Sequence, residues 1–133
     1  AFGKVLQASG IAEVVQENLA GAQSVGIWLP SLIAMSLKIA QGSGTVSIIT
    51  TARLMAPLVP SLGLDSPSAR ALVVVAIGAG SMIASHANDS YFWVVTQMSN
   101  MTVNQGYRLQ TMGTLILGIC TSVLVYLMSL WIL

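Results

Sequence analysis

Residues 111–133 read TMGTLILGICTSVLVYLMSLWIL, a stretch without a single charged side chain. A transmembrane helix needs about 20 mainly apolar residues to cross a hydrocarbon core of about 30 Å. Tyr126 and Trp131 lie near the end of the stretch, and aromatic side chains are typical of the membrane–water interface. The stretch therefore predicts a complete transmembrane helix, which we place at residues 108–133.

The composition of the whole chain also indicates a membrane protein. Of its 133 residues, 55% are hydrophobic and only 7% are charged, and the mean hydropathy is +0.82. A soluble domain carries about 25% charged residues. The net charge of +1 gives nucleic-acid phosphates little to bind, and the lone Cys120 excludes a disulfide or a cysteine-based metal site within this chain. We expect an all-α protein surrounded by the lipid bilayer, with no cofactor, metal or nucleic-acid partner.

A second apolar region, residues 27–60, is interrupted by glycine. Residues 27–41 would measure about 22 Å as a helix, which is too short to cross the membrane. Gly42-Ser43-Gly44 follows, where a helix continues poorly, and residues 45–56 are apolar again. Two short helices joined by a glycine-rich tip predict a re-entrant hairpin. The alternative is one long kinked helix over 27–56, which at about 45 Å would overrun the membrane core.

A third apolar region is interrupted by polar side chains. Ser66 is suited to cap a helix that has Pro67 at its first position, and residues 71–85 are strongly apolar. The polar run SHANDS then occupies residues 85–90. Ionisable side chains are costly at membrane depth and mark functional sites there, so we predict a broken transmembrane helix and turn over residues 67–107. The alternative is a helix that ends at the membrane surface, with this cluster in a water-facing loop.

The first 26 residues show no such pattern. Glu13 and Glu17 lie one helical turn apart and indicate a solvated face, so we expect residues 1–26 to form a connecting or amphipathic segment. The chain begins with Ala1 and has no recognisable signal peptide. A membrane transporter normally needs two related halves. We therefore expect one half of such a transporter or less, which needs the remaining N-terminal part as a partner.

The glycine-rich tip and the polar run offer the same chemistry to an anion. Short helices that end inside a membrane direct backbone N–H groups and the positive ends of their dipoles into the protein. Serine, threonine and asparagine add neutral hydrogen bonds suited to hydroxyl groups. We therefore expect a small organic anion rich in hydroxyls, such as a sugar acid, as the substrate. The predicted substrate-binding residues are Gln41, Gly42, Ser43, Gly44, Thr45, Asn88 and Ser90.

The ionisable residues of both regions have competing interpretations. We predict that Asp89 carries a coupled proton, and the alternative is that it caps the following helix. Histidine as a residue type changes its charge near neutral pH, so His86 is a second candidate proton carrier, with a hydrogen-bonded structural role as the alternative. Lys38 and Arg53 flank the tip. One of them could counter a substrate carboxylate, but we expect such residues to extend toward the membrane surface.

Two motifs resemble those of a known transporter family. Residues 38–46, KIAQGSGTV, resemble the basic-x-Ala-Gln-Gly-Ser-small-Thr-Val stretch of the gluconate permease family. Residues 85–93, SHANDSYFW, resemble its Ser-His-x-Asn-Asp-x-x-Phe-Trp stretch. Residues 1–6 and 9–11 are similar to the segment that precedes the hairpin there. The resemblance therefore covers nearly the whole chain, with the motifs in the same order.

The resemblance implies a transporter rather than an enzyme. The family consists of multi-pass proton symporters of the bacterial inner membrane, for gluconate and related sugar or hydroxy acids, with a D-serine branch. It belongs to a superfamily of inverted-repeat transporters with re-entrant hairpins and broken helices. Matching positions place residues 41–45 and 86–90 at or near the substrate site, in the C-terminal part of the transporter. D-serine and other hydroxy acids, and sodium coupling, remain alternatives.

Two functions of other classes are also compatible with the residues. An intramembrane hydrolase could use Ser85 or Ser90 with His86 and Asp89. We disfavour it because these residues lie within six positions, whereas catalytic triads are normally assembled from separate parts of a chain, and no Gly-x-Ser-x-Gly motif is present. The other function is a non-catalytic membrane subunit, truncated or accessory, that assembles with another chain or as a homo-oligomer.

Overall fold

The computed structural model describes residues 26–133, and its regular structure is helical throughout. The predicted connecting segment at residues 1–26 lies outside the described residues except for Gly26. The helices in chain order are α1 (Trp28–Gln41), α2 (Gly44–Met55), α3 (Pro67–Met82), α4 (Ser90–Met98), α5 (Val103–Gly106) and α6 (Met112–Ile132), with a π-helical stretch at Tyr107–Thr111 between the last two.

The first interruption separates α1 from α2 where glycine was expected to break the helix. Gly42 has a φ of 72°, a left-handed conformation that glycine adopts without strain, and its N–H donates to the Lys38 carbonyl at 2.8 Å. Ser43 is extended, and its hydroxyl accepts a hydrogen bond from the Val46 N–H at 3.3 Å. The two helices pack against each other. The chain therefore forms a helix pair here and not one long kinked helix.

Helix α3 is the central element and contacts α1, α2 and α6. It begins as predicted, because the Ser66 hydroxyl accepts from the Ala69 N–H at 3.1 Å and Pro67 occupies the first turn. The Ser31 hydroxyl of α1 donates to the Ala76 carbonyl at 2.9 Å and ties α1 to α3. Small and aliphatic side chains fill the core between these helices: Ile27, Ala34, Met55, Leu58, Val59, Leu64, Ala69, Leu72, Val73, Ala76, Ile77 and Val125.

The second interruption lies between α3 and α4. Residues 83–89 are not helical, and the Asp89 carboxylate caps α4 by accepting from the Tyr91 N–H at 3.0 Å. Side chains of the last helix hold this segment in place. The Thr111 hydroxyl donates to the Ser85 carbonyl at 2.6 Å, and the Thr114 hydroxyl accepts from the Ser85 N–H at 3.0 Å. Ser85 and Asp89 are both buried.

The last helix is continuous from Val103 to Ile132 and is the one described helix that is long and apolar enough to cross a membrane, with a mean hydropathy of 2.2 over an 18-residue stretch. It begins at Val103 and not at residue 108, so the predicted turn is too long. Thr102 and Gln105 form a capping box, in which each side chain bonds the backbone of the other residue. Large apolar side chains along α6 are exposed, as on a surface that faces lipid.

Candidate functional site

A cavity of about 400 Å³ lies where the two interruptions meet. This volume falls within the range of small-molecule sites, about 300–1,000 Å³. The wall is formed by the end of α1, the start of α2, the end of α3, the start of α4 and one residue of α6. Its polar side chains belong to Lys38, Ser43, Thr45, Ser81, Ser85, Asp89, Ser90, Tyr91 and Thr114.

Two helices begin at this cavity. Gly44, the first residue of α2, and Ser90, the first residue of α4, both line it. The backbone N–H groups of the first turn have no partners within a helix, and the helix dipole places partial positive charge at the same end. Two such ends at one cavity create an environment that favours an anion.

A buried ion pair joins the two interruptions across the cavity wall. The Lys38 ammonium of α1 lies 2.5 Å from Oδ2 of Asp89, and the two residues are only 4% and 6% exposed. The Ser85 hydroxyl donates to the same Oδ2 at 2.5 Å. Lys38 also donates to the Gly42 carbonyl at 3.4 Å. These contacts offset part of the large cost of removing two charges from water.

The tip and the second interruption are also in direct contact. The Asn88 side-chain amide donates to the Ile39 carbonyl near the end of α1 at 2.7 Å. The backbone of Gly42 packs so closely on Asn88 that a Cβ at position 42 would overlap the Asn88 carbonyl. The Trp93 indole donates to the Ala87 carbonyl at 2.7 Å, which fixes the segment before α4. These bonds set the position of both helix starts relative to each other.

Comparison with known proteins assigns the chain to a family. The family model described as GntP family permease matches residues 1–131. The chain belongs to the GntP permease family. The resemblance seen in the two motifs is thereby confirmed, and the chain is part of a family of membrane transporters, not of enzymes.

Individual members of the GntP permease family are similar over nearly the whole chain. A gluconate permease of Pseudomonas aeruginosa is 38% identical over 130 residues, which are 97% of this chain and 28% of that protein. The Gnt-II system L-idonate transporter of Escherichia coli is 39% identical over 117 residues, 87% of this chain and 26% of that protein. An inner membrane permease of Escherichia coli, YgbN, is 38% identical over 117 residues, 88% of this chain and 25% of that protein.

The chain thus spans 25% to 28% of the length of these GntP relatives. No solved structure matches it.

Six of the nine predicted site residues line the cavity: Gly42, Ser43, Gly44, Thr45, Asp89 and Ser90. The other three lie outside the lining. Gln41 is the last residue of α1, and Asn88 bonds the Ile39 carbonyl. The Nδ1 atom of His86 lies 2.8 Å from the Ala84 carbonyl oxygen.

The expectation that Lys38 extends toward the membrane surface is wrong. Its ammonium is held inside by Asp89, which lies 51 residues further along the chain. Asp89 does cap α4, the alternative role considered for it, and it pairs with Lys38 at the same time. Arg53, by contrast, is exposed. The pairing of Lys38 with Asp89 could not be predicted from sequence spacing. However, two charged residues that each interrupt an apolar pattern are a signal for such pairing.

Several polar residues of the wall were also missed, namely Ser81, Ser85, Tyr91 and Thr114. Ser85 was considered only as a hydrolase nucleophile. Its hydroxyl instead donates to Asp89, and the bond of His86 runs to a backbone carbonyl. Within residues 26–133 there is no group of three or more His, Cys, Asp or Glu side chains placed to hold a metal ion.

Proposed function

We propose that this chain forms the C-terminal part of a proton-coupled secondary transporter for gluconate or related sugar and hydroxy acids in the bacterial inner membrane. The observation that carries the proposal is the cavity at the starts of α2 and α4, with an ammonium and a carboxylate in its wall. Gluconate permeases and an L-idonate transporter among the relatives support a sugar acid as the substrate.

The proposed architecture is half of an inverted repeat, with α1 and α2 as a re-entrant hairpin and α3 and α4 as a broken transmembrane helix. Helices α1 and α2 have 14 and 12 residues. At about 1.5 Å per residue, neither would cross a hydrocarbon core of about 30 Å. Non-helical backbone is tolerated at membrane depth where it lines a cavity, and both interruptions line one. The N-terminal part of the longer protein would supply the other half.

In this proposal the carboxylate of the substrate binds at the start of α2, where the helix dipole and Lys38 favour negative charge. Its hydroxyl groups bond Ser43, Thr45 and Ser90. Asp89 carries the coupled proton, because its carboxylate belongs to the cavity wall and His86 lies outside it. Gln41 and Asn88 then hold the tip in place and do not contact the substrate directly.

The experiment is uptake of labelled gluconate into proteoliposomes that contain the full-length transporter. We expect accumulation above the external concentration when the outside is acidic, and simple equilibration when the proton gradient is collapsed. Unlabelled L-idonate and D-serine serve as competitors that rank the substrate classes. Accumulation that requires a sodium gradient and ignores the proton gradient would contradict the coupling. Absence of uptake for every hydroxy acid tested would contradict the transport function.

A further inference from the structure

Within residues 26–133, two charged side chains line the cavity. Among residues 26–133, the lining contains the ionisable groups of Lys38 from α1, Asp89 from the second interruption and Tyr91 from α4. The cap and first residues of α2 contribute Ser43, Gly44 and Thr45, and the last helix contributes Thr114, none of which is ionisable. His86 lies outside the lining. Among the described residues, the charge of the lining therefore depends on the pair of Lys38 and Asp89.

If either member of this pair were neutralised, the other would lose its charged partner. The Lys38 ammonium donates to Asp89 and, at 3.4 Å, to the Gly42 carbonyl. The Asp89 carboxylate accepts from Lys38, from the Ser85 hydroxyl and from the Tyr91 N–H. A proton on Asp89 would leave Lys38 as an unpaired buried cation, which is strongly unfavourable. The ammonium then requires a new anion at the cavity.

We propose that Lys38 is the receptor for the substrate carboxylate and that the substrate and Asp89 compete for it. A proton from the outer solution binds Oδ2 of Asp89, the hydrogen bond between Lys38 and Asp89 breaks, and the ammonium bonds the substrate carboxylate instead. On the other side of the membrane the proton leaves Asp89, and the ion pair forms again as the substrate departs. This inference rests on the proposed transport function and assigns its coupling to one exchange of partners.

The exchange explains why two ligands travel together. The empty cavity is neutral because Lys38 and Asp89 cancel. With one proton and one carboxylate bound, the cavity is neutral again. With the anion alone it gains a negative charge, and with the proton alone a positive one, and a net charge is costly to carry across the membrane. Only the empty and the doubly loaded states therefore reorient readily, which gives one proton per carboxylate.

A wild-type measurement tests this stoichiometry without any substitution. Proteoliposomes with the full-length transporter are given either a proton gradient or a potassium diffusion potential of about 100 mV. One proton with one monovalent anion moves no net charge, so we expect gluconate accumulation from the proton gradient and none from the potential at either polarity. Accumulation driven by an inside-negative potential would mean that more than one proton accompanies each anion. Accumulation driven by an inside-positive potential would mean that the anion crosses without a proton. Either result would overturn the proposal.

The Asp89→Asn variant separates exchange from net transport. Its loaded cavity, with Lys38 and the carboxylate, stays neutral, whereas its empty cavity keeps an unpaired ammonium. We expect exchange of labelled for unlabelled gluconate to continue at a reduced rate that does not depend on pH, and gradient-driven accumulation to be lost. The matched control is Asp65→Asn, because Asp65 is exposed and pairs with Arg70 at the surface. That control should accumulate gluconate normally.

The Lys38→Met variant removes the proposed receptor. We expect exchange and accumulation to fall at least tenfold, in keeping with the loss of a charge-assisted hydrogen bond. Lys38→Arg, which keeps the cation, should retain exchange. Arg53→Met removes an exposed cation of α2 and should leave transport unchanged. A Lys38→Met protein that exchanges gluconate like the wild type would overturn the assignment of the receptor.

The outcomes distinguish this inference from the proposed function. If the wild-type protein does not exchange gluconate at all, the proposed function fails and the inference fails with it. If the wild type accumulates gluconate and Asp89→Asn does so too, the transport function stands, and the inference fails together with the assignment of the coupled proton to Asp89. If Asp89→Asn shows neither activity because it does not fold, the wild-type response to the two driving forces decides.

Discussion

Each of the two interruptions ends in a helix start that lines the cavity, but the two helix starts are capped by different side chains. Helix α2 is capped by Ser43, whose neutral hydroxyl accepts from the Val46 N–H. Helix α4 is capped by Asp89, whose carboxylate accepts from the Tyr91 N–H. A hydroxyl satisfies one backbone donor and leaves the positive end of the dipole uncompensated, whereas a carboxylate compensates it.

Because of this difference, the two helix starts have separate roles in the proposed site. The start of α2 keeps its attraction for an external anion, so the substrate carboxylate belongs there. The start of α4 already has its anion, and that anion needs Lys38 and Ser85 as partners because it is buried. A proton can replace those partners, so the second interruption is where proton binding changes the charge of the site.

The largest effect is expected when the close contact between the two interruptions is disrupted. Gly42→Ala forces a side chain into the left-handed conformation and into the Asn88 carbonyl. The matched control is Gly63→Ala, because Gly63 has nearly the same φ of 71° but open space around its Cβ position. Gly63→Ala should cost about 1 kcal/mol of stability with transport retained. Gly42→Ala should abolish gluconate uptake, and equal uptake by the two variants would contradict the contact.

An intermediate effect is expected when the first cap is made to resemble the second. Ser43→Asp still caps α2, but its carboxylate would repel the carboxylate of the substrate at short range, so gluconate binding should weaken at least about tenfold. Ser43→Asn is the control, since asparagine caps equally well without the charge. Binding to purified protein by calorimetry compares the two. Similar affinities would mean that the substrate carboxylate does not bind near α2.

The smallest effect is expected at a cap that lies away from the cavity. Ser66 caps α3 by accepting from the Ala69 N–H, and it is not part of the cavity lining. Ser66→Ala should lower the free energy of unfolding by about 1 kcal/mol. The KM for gluconate should not change, because the starts of α2 and α4 keep their caps. A raised KM in uptake assays would show that loss of a helix cap alone weakens gluconate binding. The effects of substitutions at Ser43 could then not be attributed to contact with the substrate.

Local chemistry allowed much of the fold to be predicted from the sequence. Gly42 and Ser43 end one helix and begin the next because of their own conformational preferences, and Ser66 with Pro67 starts α3 for similar reasons. The start of the last helix was misplaced because the predicted turn was extended to residue 107, whereas the helix begins at Val103. The capping box of Thr102 and Gln105 inside it was the signal that was overlooked.

Long-range contacts are what the sequence could not predict. Lys38 and Asp89 are 51 residues apart, so no spacing rule places them together. Thr114 looks like an ordinary hydroxyl of a membrane helix until the fold brings it to Ser85. Asn88 was expected to contact the substrate because of its polarity, but the fold gives its amide a backbone partner first, at Ile39.

We propose that one anion binds between the starts of α2 and α4. The most direct test of this proposal is cysteine protection in a full-length transporter whose native cysteines, including Cys120, are replaced. Thr45→Cys and Ser90→Cys place one thiol on each side of the cavity. Gln97→Cys, exposed on α4 and outside the lining, is the control.

The measurement is the rate at which a water-soluble maleimide labels each thiol, with and without gluconate. We predict that saturating gluconate slows labelling at positions 45 and 90 at least about tenfold, since a ligand bound in such a pocket is largely enclosed by its wall and blocks access to the thiols. Labelling at position 97 should not change. Unchanged labelling at both cavity positions, in protein that still transports gluconate, would contradict the account.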